Sequence, residues 1–378
     1  MSVTVGSAPL QSSTVSVRSP RVHVVHDYLT QRGGAERLVL AMLDAFPDAK
    51  LYTSLYEPSD TYPEFRDKEI RPSWLNRFAA LRADHRRALP LLASTFGRMK
   101  LADADLVLCS TSGWAHGVTT DIPKLAYCYT PARWLYQTDR YTGRSRGQRA
   151  LISTLGPALR RWDEQAAASV ERYLTLSGAV RDQIAAAYGI EAEVVPPPLM
   201  FDSSGPQTAL DGVDPGFLLC VARLLPYKNV DAVVGAVAAR PDLQLVVVGE
   251  GPLLATYRAA APANVLFTER VPDDVLRWLY ANCVVNISAA YEDYGLTPLE
   301  ALAFGKPSIT LRYGGFLDTV VEGETGLHFD APNAQKILGA LDEWEHVRFS
   351  TDRLARHLEL FSQERFASRL RAIAAEVA

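Results

Sequence analysis

The sequence predicts an α/β protein made of two doubly wound, Rossmann-like parallel-sheet domains that face each other across a cleft. Three observations predict it. At 378 residues the chain exceeds what one hydrophobic core ordinarily organises. Short apolar runs alternate with helical segments along its length, the pattern of parallel strands covered on both faces. The alternation breaks once, at "VVPPPLMFDSSGPQ" near residue 195, and then restarts.

Taken in order, residues 1–20 are rich in Ser, Thr and Val, with neither a basic start nor a sustained apolar run. They are expected to form a disordered tail, not a signal peptide. Val22 to Val25 is a strand, followed by a loop with Gly33-Gly34. A helix then runs from Ala35, apolar at Leu38, Val39, Met42, Leu43 and Phe46. Further strands are expected at 50–55, 106–109, 125–129 and 173–177, with a helix at Pro157–Ala168. This N-terminal domain is expected to span 21–195. After a linker at 196–212 comes the second domain, 213–352. Its strands are read from "GFLLCVARL", "LQLVVVGEG", "VLFT", "VVNISAA", "SITL" and "GLHF", with "NVDAVVGAVAAR" and "DDVLRWLYANC" as helices. Residues 353–378 read as C-terminal helices placed to pack back on the N-terminal domain.

Composition narrows the chemistry. Hydrophobic residues make up 48% and charged residues 22%, ordinary for a globular protein. Four scattered cysteines, Cys109, Cys128, Cys220 and Cys283, read as buried thiols of a reducing, cytoplasmic compartment. No apolar stretch is long enough to span a membrane. Neither G-x-G-x-x-G after the first strand nor a P-loop occurs, which argues against a nicotinamide enzyme and a P-loop nucleotidase.

The net charge is −4, divided as +4 up to Leu199 and −8 beyond it. Arg66 to Lys100 holds nine basic residues against three acidic, and Arg133 to Arg161 seven against one. Such runs are either solvated faces or a surface for anionic lipid at the inner face of the cell membrane. A nucleic-acid partner is not expected, since no reading motif is present and the total charge is negative.

The chemistry concentrates in "EDYGLTPLEALAFGKPSI", residues 292–309. Thr297 is a suitable N-cap, Pro298 suits the first helical position, and Thr297-x-x-Glu300 makes a capping box. Glu300 is equally placed to accept both hydroxyls of a ribose diol. Gly295 lets the backbone approach a phosphate at the helix start. Glu292, on the loop, could bind sugar hydroxyls or steady a cationic centre. In "VARLLPYKNVD", Arg223 and Lys228 supply a fork and a point charge that could hold a diphosphate without a metal.

These segments, in this order and spacing over about 110 residues, resemble the carboxyl-terminal domain of the family-four retaining glycosyltransferases of GT-B fold. "HDYLTQRGGAERLV" is similar to that family's first glycine-rich loop, and "STSGWAHGV" to the segment holding its active-site histidine. "AFPDAKLYTSLYEP" is most similar to mannosyltransferases of bacterial surface-polysaccharide assembly. The resemblance implies that Glu300 binds the nucleotide ribose and Glu292 lies near the donor sugar. It assigns Arg223 and Lys228 to the diphosphate, the amides of Leu296 and Thr297 to the helix-start contacts, and Gly33 and Gly34 to the loop approaching from the other domain. It places His116 against the donor sugar. Arg270 and Val271, after "VLFT", are assigned to the nucleobase by position alone. No cofactor and no metal are implied. The expected partners are a nucleotide-sugar donor and a glycan, lipid-linked or small-molecule acceptor, with the first domain on the acceptor side and GDP-mannose the first candidate donor. "QRGGAE" and "KN" (where "KG" is common) depart slightly from the family pattern. An epimerase or a phosphorylase of the same fold, or a non-catalytic nucleotide-sugar binder, are the alternatives.

Overall fold

The computed structural model describes residues 20–136 and 146–378, so the predicted tail lies, apart from Pro20, outside the described residues. The first sheet has seven strands: β1 (Val22–His26), β2 (Leu51–Thr53), β3 (Ile70–Pro72), β4 (Leu106–Thr111), β5 (Lys124–Cys128), β6 (Arg172–Thr175) and β7 (Glu193–Val194), in the order β3-β2-β1-β4-β5-β6-β7. The second has six: β8 (Leu218–Val221), β9 (Leu245–Val248), β10 (Val265–Thr268), β11 (Val285–Ser288), β12 (Ser308–Leu311) and β13 (Gly326–Phe329), in the order β10-β9-β8-β11-β12-β13. Every pairing is parallel. The inner strands are buried, as expected of sheets covered by helices on both faces.

This order decides where a ligand can sit. β1 lies between β2 and β4, and β8 between β9 and β11, so the strand order reverses direction at each of them. In open α/β sheets the crevice at such a reversal, beyond the carboxyl ends of the strands, is the binding place. The segments that leave β1, β4, β8 and β11 there are those carrying Gly33-Gly34, His116, Arg223-Lys228 and Glu292.

Two edge strands escaped the sequence reading. β3 reads "IRP" and is partly or fully exposed, with a proline an edge strand tolerates. β7 has only two residues. The helix expected to start at Pro157 instead spans Arg146–Ala168 with Pro157 inside it. Proline deletes one hydrogen bond of a helix without necessarily ending it.

The first core gathers β1, β2, β4, β5 and β6, and it also takes in Leu354, Phe361, Phe366, Leu370 and Ile373 from the end of the chain. The helix Gln363–Val377 lies on the helix Gly34–Ala45, and Phe366 meets the Tyr127 ring edge-on. The second sheet is covered on one face by Val230, Val233, Val237, Ile337 and Leu341, and on the other by Phe217, Leu279, Tyr280 and Cys283. All four cysteines are buried and unpaired, and burial pushes the thiols of Cys109, Cys220 and Cys283 up to about 12. No helix among the described residues is long and apolar enough to cross a membrane.

Candidate functional site

On the first domain, β1 runs into Asp27, which is buried. Its carboxylate accepts from the amides of Ser112 (2.6 Å) and Ala115 (2.7 Å) and from Thr111 Oγ1 (3.3 Å). Burial pushes the Asp27 carboxyl up to about 6, with those bonds pulling it back down. Asp27 thereby shapes the turn after β4 that carries His116. His116 is itself fully buried. Its Nε2 meets Asp163 Oδ1 at 2.9 Å and its Nδ1 meets Tyr173 Oη at 3.1 Å, while Asp163 Oδ2 accepts from Tyr188 at 2.9 Å. Both ring nitrogens are therefore engaged inside the first domain, and His116 does not join the charged groups of the second.

The glycine loop does face the second domain. A Cβ built on Gly34 would lie 3.9 Å from Leu296 Cδ1. Gly33 is the N-cap of the helix Gly34–Ala45, and Glu36 folds back beside it, so a Cβ at Gly33 would stand 2.5 Å from Glu36 Oε2. Glu36 is buried, accepts from Gln31 Nε2 at 2.9 Å, and is pushed up to about 6 by its burial.

On the second domain, Arg223 follows β8. It is exposed, with its guanidinium reaching Tyr227 Oη at 3.4 Å. Lys228 ends the short turn Pro226–Lys228; it is buried, and its ammonium donates to Glu292 Oε1 while lying 4.9 Å from the Tyr227 ring centre. The structure thus joins two predicted site residues that are 64 positions apart. Asn229 explains the "KN" departure. It adopts φ 48°, a left-handed conformation that asparagine tolerates, and its amide donates to Ala289 O at 2.8 Å. That bond ties the lysine turn to the loop leading into Glu292, as does Tyr291 N to Tyr227 O at 3.1 Å.

Helix Leu296–Leu302 corrects the capping expectation. Its N-cap is Gly295, at φ 93°, where a Cβ would come within 2.6 Å of the Phe316 ring. Thr297 lies one residue inside the helix and does not cap it. A left-handed residue turns the chain into the helix two positions earlier than the side-chain pattern suggests, and Pro298 still falls in the first turn, where no amide donor is missed. Glu300 accordingly does not reach back to Thr297. Its Oε2 accepts from Tyr280 Oη at 2.6 Å, and burial pushes its carboxyl up. Arg270 and Val271 follow β10 at the edge of the sheet; Arg270 is exposed and Val271 packs on the core. Among the described residues no hydrogen bond or ion pair links them to Lys228 or Glu292.

Asp293 was missed. Its carboxylate is held by Arg133 and by Gln183 Nε2 (3.1 Å), and its carbonyl accepts from Ser177 Oγ (2.6 Å). Next to it, Tyr294 Oη donates to Pro197 O at 2.6 Å, and Asp318 accepts from Gly178 N at 3.1 Å. The loop between the two glutamates is thus clasped by the first domain. Between Glu292 and Tyr294 an aspartate reads as a solvated loop residue, and no local signal marks it. An Asp-x-Asp triplet does occur, Asp103–Asp105, but both carboxylates hold Arg21 at the opposite end of β1 from the cleft.

Residues 208–358 match the family described as glycosyl transferases group 1. Over 125 residues the chain is 34% identical to a GDP-mannose-dependent alpha-mannosyltransferase of Corynebacterium glutamicum, a match covering 33% of this chain and 30% of that one. Over 214 residues it is 31% identical to the lipopolysaccharide core biosynthesis mannosyltransferase LpsB of Rhizobium meliloti, covering 50% and 58%. The chain therefore spans less than two thirds of either relative's length. Among solved structures it is similar in fold to sucrose-phosphate synthase of Thermosynechococcus elongatus (TM-score 0.69, 16% identity, 94% of this chain and 98% of that one). It is likewise similar to Anabaena HepE in complex with UDP-glucose (TM-score 0.67, 14% identity, 94% and 100%).

Proposed function

We propose that the chain, whose residues 208–358 match the family described as glycosyl transferases group 1, is a two-domain GT-B enzyme that transfers a hexose, with retention, from a nucleotide diphosphate sugar to a glycan, lipid-linked or small-molecule acceptor. The donor proposed is GDP-mannose, on the strength of the mannosyltransferase relatives. The observation that carries the reading is the Lys228–Glu292 pair, set between the carboxyl ends of β8 and β11 with the exposed Arg223 beside it.

In such a transfer the anomeric carbon gains positive charge as the diphosphate leaves. Lys228 and Arg223 stabilise the departing phosphates, and a charge already in place costs no reorganisation as the bond breaks. Glu292 holds the ammonium in position before the donor arrives, and then faces the sugar that carries the developing cation. Glu300, oriented by Tyr280, takes the ribose hydroxyls. The leaving phosphate takes the acceptor's proton on the same face of the sugar, which keeps the anomeric configuration. No metal is called for, because two cations of the protein meet the diphosphate.

The test is release of free nucleoside diphosphate from a panel of nucleotide sugars, with and without a mannosyl acceptor. Release that depends on acceptor, is greatest with GDP-mannose and persists in chelator is expected. Interconversion of the sugar without acceptor would mean an epimerase, phosphate-dependent release a phosphorylase, and tight binding without turnover a binding protein.

A further inference from the structure

Between β3 and β4 the first domain carries a set of short helical turns: Trp74–Arg77, Ala79–Ala83, His85–Ala88 and Leu89–Phe96. Their inner side is ordinary core, with Leu75, Ala88, Leu92 and Phe96 buried. Their outer side is not an ordinary surface. Trp74 is 47% exposed, Phe78 46% and Leu91 39%, and together they are three of the chain's large exposed apolar side chains. Trp74 and Phe78 meet edge to face at 6.1 Å, and the Arg77 guanidinium lies over both rings, at 5.3 and 5.2 Å. Arg86, Arg87, Arg98 and Lys100 are exposed in the same stretch. Asp84 lies 3.5 Å from Arg87, whereas Arg77 and Arg86 have no carboxylate in ion-pair range among the described residues. Glu57 and Glu69 are occupied by Arg82 and Arg71.

We propose that this face docks on an anionic lipid bilayer, with Trp74, Phe78 and Leu91 entering the interface and the arginines meeting the head groups. The charge is complementary to such lipids, and aromatic rings beside arginine suit the boundary where one end of the side chain is apolar and the other wet. The turns are also anchored to the first domain's side of the cleft. Tyr28 stacks on His85 at 4.0 Å, Thr30 Oγ1 meets His85 Nδ1 at 3.1 Å, and Tyr56 N donates to Asn76 Oδ1 at 2.7 Å. Tyr28 and Thr30 lie between β1 and the glycine loop. Docking here brings the loop that faces Leu296 near the membrane, where a lipid-linked acceptor is held. The assignment rests on the proposed transfer for its purpose, but its test needs no turnover.

The test is co-sedimentation of the full chain with phosphatidylglycerol vesicles and with neutral phosphatidylcholine vesicles, across salt concentrations. Wild type is expected to bind the anionic vesicles and to be released as salt rises. Arg86→Ser/Arg87→Ser should lower binding at low salt by roughly tenfold or more, given a few-fold for each cation near the surface. Trp74→Ser/Phe78→Ser should lower it by about tenfold at any salt, with an unchanged melting temperature because both rings are half exposed. Failure of wild type to bind anionic vesicles at low salt overturns the proposal, as does wild-type binding by Trp74→Ser/Phe78→Ser. Vesicle binding by a protein that releases no nucleoside diphosphate would leave the docking face standing and remove the proposed transfer. Transfer to a dispersed acceptor without vesicle binding would do the reverse.

Discussion

Lys228 and Glu292 neutralise each other across the mouth of the second sheet, so in the proposed transfer a donor diphosphate competes with a carboxylate already in place. Lys228→Ala is expected to lower kcat/KM by roughly 10²-fold, about 3 kcal/mol, on the scale of one preorganised charge contact. Steady-state kinetics at near-wild-type rates would remove the assignment. Glu300 invites a two-armed comparison. Glu300→Gln keeps one acceptor oxygen but loses the second, so donor affinity should fall roughly 5- to 150-fold, about 1–3 kcal/mol. Thr297→Ala, which a capping role would make costly, should leave the melting curve nearly unchanged, since Gly295 occupies the cap. Calorimetric titration of Glu300→Gln and thermal melts of Thr297→Ala check the two. Glu36 adds a pH signature. Its carboxyl is raised from 4.5 to about 6 in the folded protein, so the folded state binds more protons in that window and ionisation costs stability. Stability relative to Glu36→Gln should therefore fall as pH rises from about 4.5 to about 7, by about 2 kcal/mol. Denaturant unfolding of both proteins across that range measures it, and an unchanged difference would contradict it.

At the level of elements, the parts of the fold legible in the sequence were those with a strong local period. β1, β4, β8, β9 and β11 announce themselves as apolar runs, and the helix Asp273–Asn282 as an amphipathic one. β3 and β7 are edge strands with little buried surface, and so carry little pattern. The site divides in the same way. Arg223, Lys228 and Glu292 could be put forward together because their chemistry lies in short segments with recognisable spacing, and topology brings those segments to one crevice. What the sequence did not disclose is pairwise: that Lys228 meets Glu292, that Tyr280 orients Glu300, and that Asp163 and Tyr173 enclose His116. Such contacts depend on how separate elements are stacked, not on any one of them. The helix start was misread because a glycine at φ 93° did what a threonine side chain is suited to do. Asp293 is the strongest test of that lesson. Asp293→Ala removes one acceptor of Arg133 and of Gln183 and loosens the loop between the two glutamates, leaving the Ser177 and Tyr294 bonds in place. It should lower turnover roughly tenfold while donor contacts to Glu300 remain, by analogy with other losses of positioning at a distance from the chemistry. Full activity in Asp293→Ala would show the clasp to be incidental.

The whole molecule is laced together from both ends. Phe361, Phe366, Leu370 and Ile373 fill the first core although they follow the second sheet in sequence. Removing residues 351–378 should therefore loosen the first domain and spare the second. Hydrogen exchange reads this directly: faster exchange is expected in β1, β4 and β5, with β8, β9 and β11 unchanged, and the opposite distribution would be decisive against it. The same arrangement bears on how the protein is made. Domains ordinarily close in the order the ribosome releases them, the N-terminal one first. Here the second sheet, which lies entirely between Leu218 and Phe329, has all its strands before translation reaches Phe361. The first waits, partly uncovered, until the residues that seal it emerge. In a growing cell the early half of this chain is thus the last to be finished, and it is that half, with its unsealed apolar surface, that a chaperone would meet.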